Sequence, residues 1–246
     1  MINKTHKILS GWGRNYFANV NIFEPKKESE IREKINSSSK KSLISRGLGR
    51  AYGDSALLDL QTVISLRNLN SFKLDKENGE LTAQAGLSFD EILAIIIPEG
   101  FFLPVSPGTR YVTVGGAIAA DVHGKNHHKD GTFGKNVKRL LLIDGNGDLQ
   151  ELSQFDENSE NRSMFWATVG GMGMTGVILE ATFSLIPISS TFITVNTSRH
   201  ENLDELMGKM IESDESNRYS VAWVDSLHKN FRGVLTTGNH VGHEDL

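Results

Sequence analysis

The chain has 246 residues, 38% hydrophobic and 23% charged, which suits one large or two ordinary folded domains and excludes wholesale disorder. A net charge of −4 supplies no basic field for nucleic acid. The absence of cysteine excludes disulfides, zinc–thiolate sites, iron–sulfur clusters and a cysteinyl link to a cofactor.

No apolar run approaches the roughly 20 residues that span a bilayer. Residues 1–10 are polar and unlike a signal peptide, so the expected location is cytoplasmic, with peripheral membrane association left open. Residues 1–25 read as an irregular entry carrying Trp12, Tyr16, Phe17 and Phe23. A short helix is predicted over 28–38, where Ile31 and Ile35 lie four apart, and a strand over 42–45. Residues 46–59 carry Gly47, Gly49 and Gly53 and read as a shaped loop. Strands over 62–66 and 81–85 flank a turn at Asn78-Gly79. Ser88 and Glu91 make a capping-box pattern for a helix with Ile92, Ile95 and Ile96 inside, stopped by Pro98 and Gly100.

Residues 104–137 organise the rest. A Pro/Gly turn precedes a β-prone run, then Gly115-Gly116 opens a small-residue segment that ends in His123, Lys125, Asn126, His127 and His128. Small residues let a bulky group approach the backbone, and the polar cluster follows at once, as in a cofactor site. A hairpin is predicted from 137–143 to 148–152 across 144–147, a short helix over 163–169, and a half-buried strand over 177–185 that Pro187 ends. A new unit is expected from about residue 190, giving domains 1–189 and 190–246. It holds a strand over 191–196, a helix capped by Asn202 with Glu205 three later, and strands over 219–224 and 233–237, with no closing element before Leu246.

Gly171, Gly173 and Gly176 fit the dinucleotide pattern G-x-G-x-x-G. The motif needs a strand before it, a helix after it and an acid about 20 positions on. A strand-like run follows instead, and 191–199 hold no acid, so the glycines read as a tight turn. His123 and His127 are four apart, yet Gly124 disfavours a helix there and no carboxylate sits at ligand spacing, so no metal site is expected. His127 and His128 read as loop hydrogen-bonders, whereas His123 ends the small-residue run. Residues 46–54 are either a structural Ω-loop or a source of free N–H groups for a pyrophosphate.

The strings Arg46–Asp54, Pro107-Gly108-Thr109, Thr113–Gly116 and His123–His128, with Phe165–Gly171 and Tyr219–Asp225 in support, resemble the vanillyl-alcohol-oxidase-like flavoproteins with a p-cresol-methylhydroxylase-type FAD-binding domain. Within that family they are most similar to the branch of decaprenylphosphoryl-ribose oxidases. The resemblance implies an α+β fold: two α+β subdomains enclosing FAD, followed by the start of an α+β substrate domain. It implies that Ser45, Arg46, Gly47, Leu48, Gly49, Arg50, Ala51, Tyr52, Gly53, Asp54 and Ser55, with Gly108, Thr113, Val114, Gly115 and Gly116, hold the FAD pyrophosphate and ribityl. Ala120, Asp121, Val122 and His123 then line the flavin, and Val177 or Ile178 meets the adenine side. Arg50 serves the phosphates or braces its loop.

Non-covalent FAD is implied, because Ala51-Tyr52 stands where covalent relatives carry histidine. The implied reaction is oxidation of a secondary sugar alcohol by hydride transfer to flavin N5, with a sugar or polyprenyl-phosphosugar as substrate. His123, Tyr52 and Lys125 are the implied catalytic group, and Lys125 and Asn126 the substrate contacts. Family members are nearly twice as long, and a lysine and a tyrosine that complete their site have no counterpart here. A fragment, a truncated frame or half of a split enzyme is therefore expected, with a missing C-terminal half or a partner reductase. The rival readings are an alditol or aldonolactone oxidase, and a flavin-binding module inactive without a second polypeptide.

Overall fold

The computed structural model describes residues 5–38 and 42–242; the outermost residues, on which the expected polar start and the chain end fall, lie outside them. The first sheet takes the order β1-β2-β4-β3, from β1 (Thr5–Ser10), β2 (Phe17–Phe23), β3 (Leu43–Arg46) and β4 (Thr62–Ser65). Strands β1 and β2 pair antiparallel, which corrects the irregular entry expected there. Ala18 and Val20 point inward at period two, while Ile8 and Phe17 stay exposed. Helix α1 (Glu28–Asn36) buries Ile31 fully and leads into β3, which runs parallel to β4.

The second sheet is antiparallel, in the order β5-β6-β10-β8-β9. Its strands are β5 (Phe72–Asp75), β6 (Glu80–Gln84), β8 (Val137–Asp144), β9 (Leu149–Ser153) and β10 (Gly176–Ser184), and a two-residue β7 (Phe101–Phe102) precedes β8. Strand β5 was not expected. The Asn78-Gly79 turn joins β5 to β6, with Gly79 at φ +63°, and β4 belongs to the other sheet. Helix α2 (Phe89–Ile96) starts at the full capping box of Ser88 and Glu91. Helices α3 (Val114–Ala119), α4 (His127–Asp130) and α5 (Ser159–Thr168) complete this part. Helix α3 replaces the β-prone run expected around Val114. Gly115 lets it lie against β6, since a Cβ there would come within 2.9 Å of the Ala85 Cβ. Helix α5 begins four residues before its expected start because Asn158 caps it, accepting from the Glu160 and Asn161 N–H groups.

One core runs through both sheets. Ile31, Ile64 and Leu66 join it from the first side, Phe89, Phe133 and Phe183 from the second. The Phe133 ring lies 5.1 Å from both of the other two rings. Burying each such side chain stabilises by roughly 1.5–3 kcal/mol.

A two-residue β11 (Ile186–Pro187) pairs with β7 and leads to a third sheet, β12 (Ile193–His200), β13 (Tyr219–Val224) and β14 (Gly233–His240), in the order β12-β14-β13. Helix α6 (Leu203–Asp214) packs Leu206 over Gly233 on one face of it, the face that also buries Leu235. Val195, Val221 and Trp223 are exposed on the other face. The protein is thus mixed α+β. Among the described residues no helix is long and apolar enough to cross a membrane.

Candidate functional site

A cavity of about 900 Å³ opens between the first two sheets. That lies near the top of the range for ligand pockets, about 300–1,000 Å³. Its walls come from residues 45–53 with Ser55 and Ala56, from 107–109 and 111–113, and from Gly115, Gly116, Ala119, Ala120, Val122 and His123. Leu66, Ala85, Ile178 and the turn residues Met172, Gly173 and Gly176 add apolar surface, and Trp12 stands at one side.

The loop after β3 is built to leave its backbone available. Among the described residues, the N–H groups of 47–56 donate to no protein acceptor. Arg46 braces the loop from within, donating from Nη2 to Ser10 O at 2.7 Å and from Nη1 to Ala56 O at 3.2 Å. Burial lowers the pKa of that guanidinium. Gly49 adopts φ +64°, and a side chain there would overlap Arg46. A Cβ on Gly53, Gly108 or Gly173 would meet no protein atom within 4 Å. Free N–H groups beside open glycines suit a diphosphate flanked by planar rings, so the donor set fits FAD.

The G-x-G-x-x-G segment is a turn between α5 and β10, the reverse of the dinucleotide order. It is fixed to α3, because Gly170 N–H donates to Ile118 O at 2.9 Å and Met172 N–H to Ala119 O at 2.8 Å. Met172 at φ 51° and Gly173 at φ 77° turn the chain into the cavity wall.

Several expected residues sit elsewhere. Val114 is fully buried in the core, and Val177 faces the core while its neighbour Ile178 faces the cavity. Asp121 turns away, accepting from Gly134 N–H at 2.9 Å, and Asp54 is exposed outside the cavity wall. The backbone grip expected of Thr113–Gly116 is already engaged. Val114 and Gly115 donate to Leu87 O and Ala85 O, and Gly116 to Thr113 Oγ1 at 3.2 Å. Arg50 braces, donating from Nε to Tyr111 O at 3.2 Å.

The polar string after His123 divides. His123 lines the cavity, and its ring meets His127 edge-on at 5.6 Å. Neither ring nitrogen of His123 has a hydrogen-bond partner among the described residues. Asn126 is 1% exposed, and its amide donates to Pro104 O at 2.7 Å and to Asp130 Oδ2 at 2.5 Å, so it is a packing residue and not a substrate contact. Lys125 is exposed and outside the cavity wall; its carbonyl accepts from Ser220 N–H at 2.9 Å. His128 meets Asn217 O at 3.0 Å, Lys129 donates to Glu215 O at 2.7 Å, and Arg218 grips Asp130 with two bonds of 2.9 and 3.0 Å. Residues 125–130 therefore fasten the third sheet to the rest. Beside them Tyr219 Oη lies 2.9 Å from His240 Nε2; burial raises the phenol pKa and lowers that of the imidazole.

Trp12, Tyr111 and Met172 were not expected at the site. Each comes from a separate segment, and no local sequence pattern links them. A weak signal existed for Trp12, since glycines flank it.

The family model of the FAD binding domain matches residues 21–153. Over 230 residues the chain is 36% identical to decaprenylphosphoryl-beta-D-ribose oxidase of Mycolicibacterium smegmatis, covering 92% of this chain and 49% of that protein. It is 26% identical over 216 residues to L-gulonolactone oxidase of Mus musculus, covering 86% and 47%. With D-arabinono-1,4-lactone oxidase of Kluyveromyces lactis it shares 25% identity over 192 residues, covering 75% and 35%. The chain spans about half the length of the first two. By the match over its glycine loop and cavity, the chain belongs to the FAD binding domain family, and FAD is its cofactor.

Proposed function

We propose that the chain is the flavin-binding part of an oxidoreductase that oxidises a secondary alcohol of a sugar. Similarity over 92% of the chain to an oxidase named for a ribose substrate carries this reading. The chain then divides near residue 190 into a p-cresol-methylhydroxylase-type domain with two α+β subdomains and the start of a substrate domain. The N–H groups of the loop after β3, with those of Gly108 and Thr109, hold the pyrophosphate. Ala120, Val122 and His123 flank the flavin, and Ile178 the adenine side. FAD is held without a covalent bond, since the chain has no cysteine and Ala51-Tyr52 offers no imidazole.

Bound FAD supplies the acceptor of the hydride at N5. His123, whose ring nitrogens have no hydrogen-bond partner among the described residues, takes the hydroxyl proton directly or through one water. Tyr52, 77% exposed on the cavity wall, orients the alcohol. Lys125 has no ion-pair partner among the described residues and offers charge to a substrate hydroxyl or phosphate.

The lactone-oxidase relatives favour a second reading, an aldonolactone or alditol oxidase. Anaerobic bleaching of bound flavin separates the two. A polyprenyl-phosphoryl ribose is expected to bleach it, and bleaching by an aldonolactone alone would transfer the function to the rival. Bleaching that needs an added second polypeptide would mark a flavin-binding module. His123→Ala is expected to slow bleaching by about 10²–10⁴-fold with FAD affinity kept. Equal loss of both would make His123 structural.

A further inference from the structure

One lip of the cavity carries a column of stacked side chains. The Arg50 guanidinium carbon lies 4.8 Å from the Trp12 ring centre and 6.0 Å from that of Tyr111. Arg110 lies 5.3 Å from the same Tyr111 ring and pairs with Asp90 at 2.6 Å, in the first turn of α2. Trp12 and Tyr111 are 58% and 45% exposed, and both line the cavity, so the column stands at its rim.

The base of the column is fixed. Trp12 N–H donates to Ala51 O at 2.8 Å. Gly11 and Gly13 lie so close to the carbonyls of the glycine loop that a Cβ on either would overlap them. Three wall segments far apart in sequence, 11–13, 46–55 and 107–113, are thus joined by the Arg50 side chain. Its Nε is engaged with Tyr111 O and its guanidinium carbon lies over an indole. The loop meanwhile offers its own N–H groups to a diphosphate. A planar guanidinium suits stacking in a way an ammonium does not.

We propose that Trp12, Arg50 and Tyr111 form a strap across the lip of the cavity that retains FAD by keeping three wall segments together, with Arg50 acting through its aromatic partners and not as a phosphate ligand. The strap is a positioning device and takes no part in hydride transfer. It rests on the FAD assignment, and a wild-type chain that holds no flavin would remove that assignment, a result separable from any failure of the strap.

The test is the rate at which FAD leaves the holoprotein, read from the rise in free-flavin fluorescence after dilution. Arg50→Met and Trp12→Leu are each expected to speed release about tenfold, the loss of one or two exposed cation–π contacts. The double variant should be no faster than either single one, because both break the same column. Arg50→Lys should resemble Arg50→Met, at low and at high salt. Thermal unfolding of the apoproteins, unchanged in these variants, separates strap loss from misfolding. Wild-type release from Trp12→Leu, multiplying effects in the double variant, or an Arg50→Lys that retains FAD would each overturn the strap and make Arg50 a phosphate ligand. A lowered apoprotein midpoint in both single variants would overturn it in favour of a general packing role.

Discussion

Gly53→Ala and Gly108→Ala are expected to weaken FAD binding while leaving the apoprotein slightly more stable, whereas Gly47→Ala is expected to damage both. A Cβ at Gly53 or Gly108 meets no protein atom within 4 Å, and neither glycine has a positive φ. Alanine therefore fits the free chain, and by restricting the unfolded state it raises stability slightly, by about 0.4–1 kcal/mol. The added methyl occupies cavity space. Crowding a well-fitted ligand costs about 1–3 kcal/mol, or about tenfold to a hundredfold in affinity. At Gly47 the methyl would overlap Thr113 Oγ1, and Thr113 is 2% exposed and caps α3. Overpacking and a lost cap together cost the apoprotein about 2–4 kcal/mol. FAD titration and thermal unfolding of the three variants check this. Equal affinity in wild type, Gly53→Ala and Gly108→Ala would mean that FAD does not pass those glycines.

Asn126→Asp is expected to be severely destabilising, and more so as pH rises. The Asn126 amide donates to Asp130 Oδ2 and Pro104 O in a fully buried setting. A carboxylate in its place loses both donors and faces the carboxylate of Asp130, which Arg218 already engages. An unpaired buried charge costs about 3–5 kcal/mol. Burial and the like charge raise the pKa of the new acid in the folded state. Above the unfolded value of about 3.9 the native variant then binds more protons than the unfolded chain, so stability falls as pH rises from about 4. Asn126→Ala lacks that charge and should lose about 1–3 kcal/mol at every pH. Thermal midpoints of wild type and both variants across pH 4–8 decide it. Matching, pH-independent losses in the two would show that residue 126 does not face Asp130.

The same residue shows where the sequence stopped being legible. Asn126 stands in a string of polar side chains beside His123, so it reads as a substrate contact. Its burial follows from the backbone of Pro104 passing beneath it, which no local pattern encodes. His128 reads as a loop hydrogen-bonder and is one, but its partner Asn217, like the Glu215 partner of Lys129, lies 89 and 86 positions later, beside the third sheet. Where the physics is local, the reading held. The capping box at Ser88, the cap at Asn202 and the hairpin between β8 and β9 depend on neighbours a few residues apart. Helix α3 was hidden because Val114-Gly115-Gly116 has poor helix propensity, which the tight approach to Ala85 overrides. The N-terminal hairpin was hidden by its outward aromatics. Phe17 and Trp12 look like core residues, but the inward positions hold Ala18, Val20 and Ile22 from β2 with Leu9 from β1.

The glycine loop was legible only as an alternative, a structural Ω-loop or a source of free N–H groups, because three glycines in a short run exclude regular structure without choosing between the two. What it could not show was the division of labour around it. Arg46 braces, Arg50 joins the lips, and the first turn of α3 satisfies its own donors within the protein.

Titration of the apoprotein with FAD, followed by denaturation, tests the central claim most directly. The account predicts a yellow complex that saturates at a single FAD per chain, with all of the flavin released intact by acid or heat. A folded chain that stays colourless with FAD in excess would contradict it.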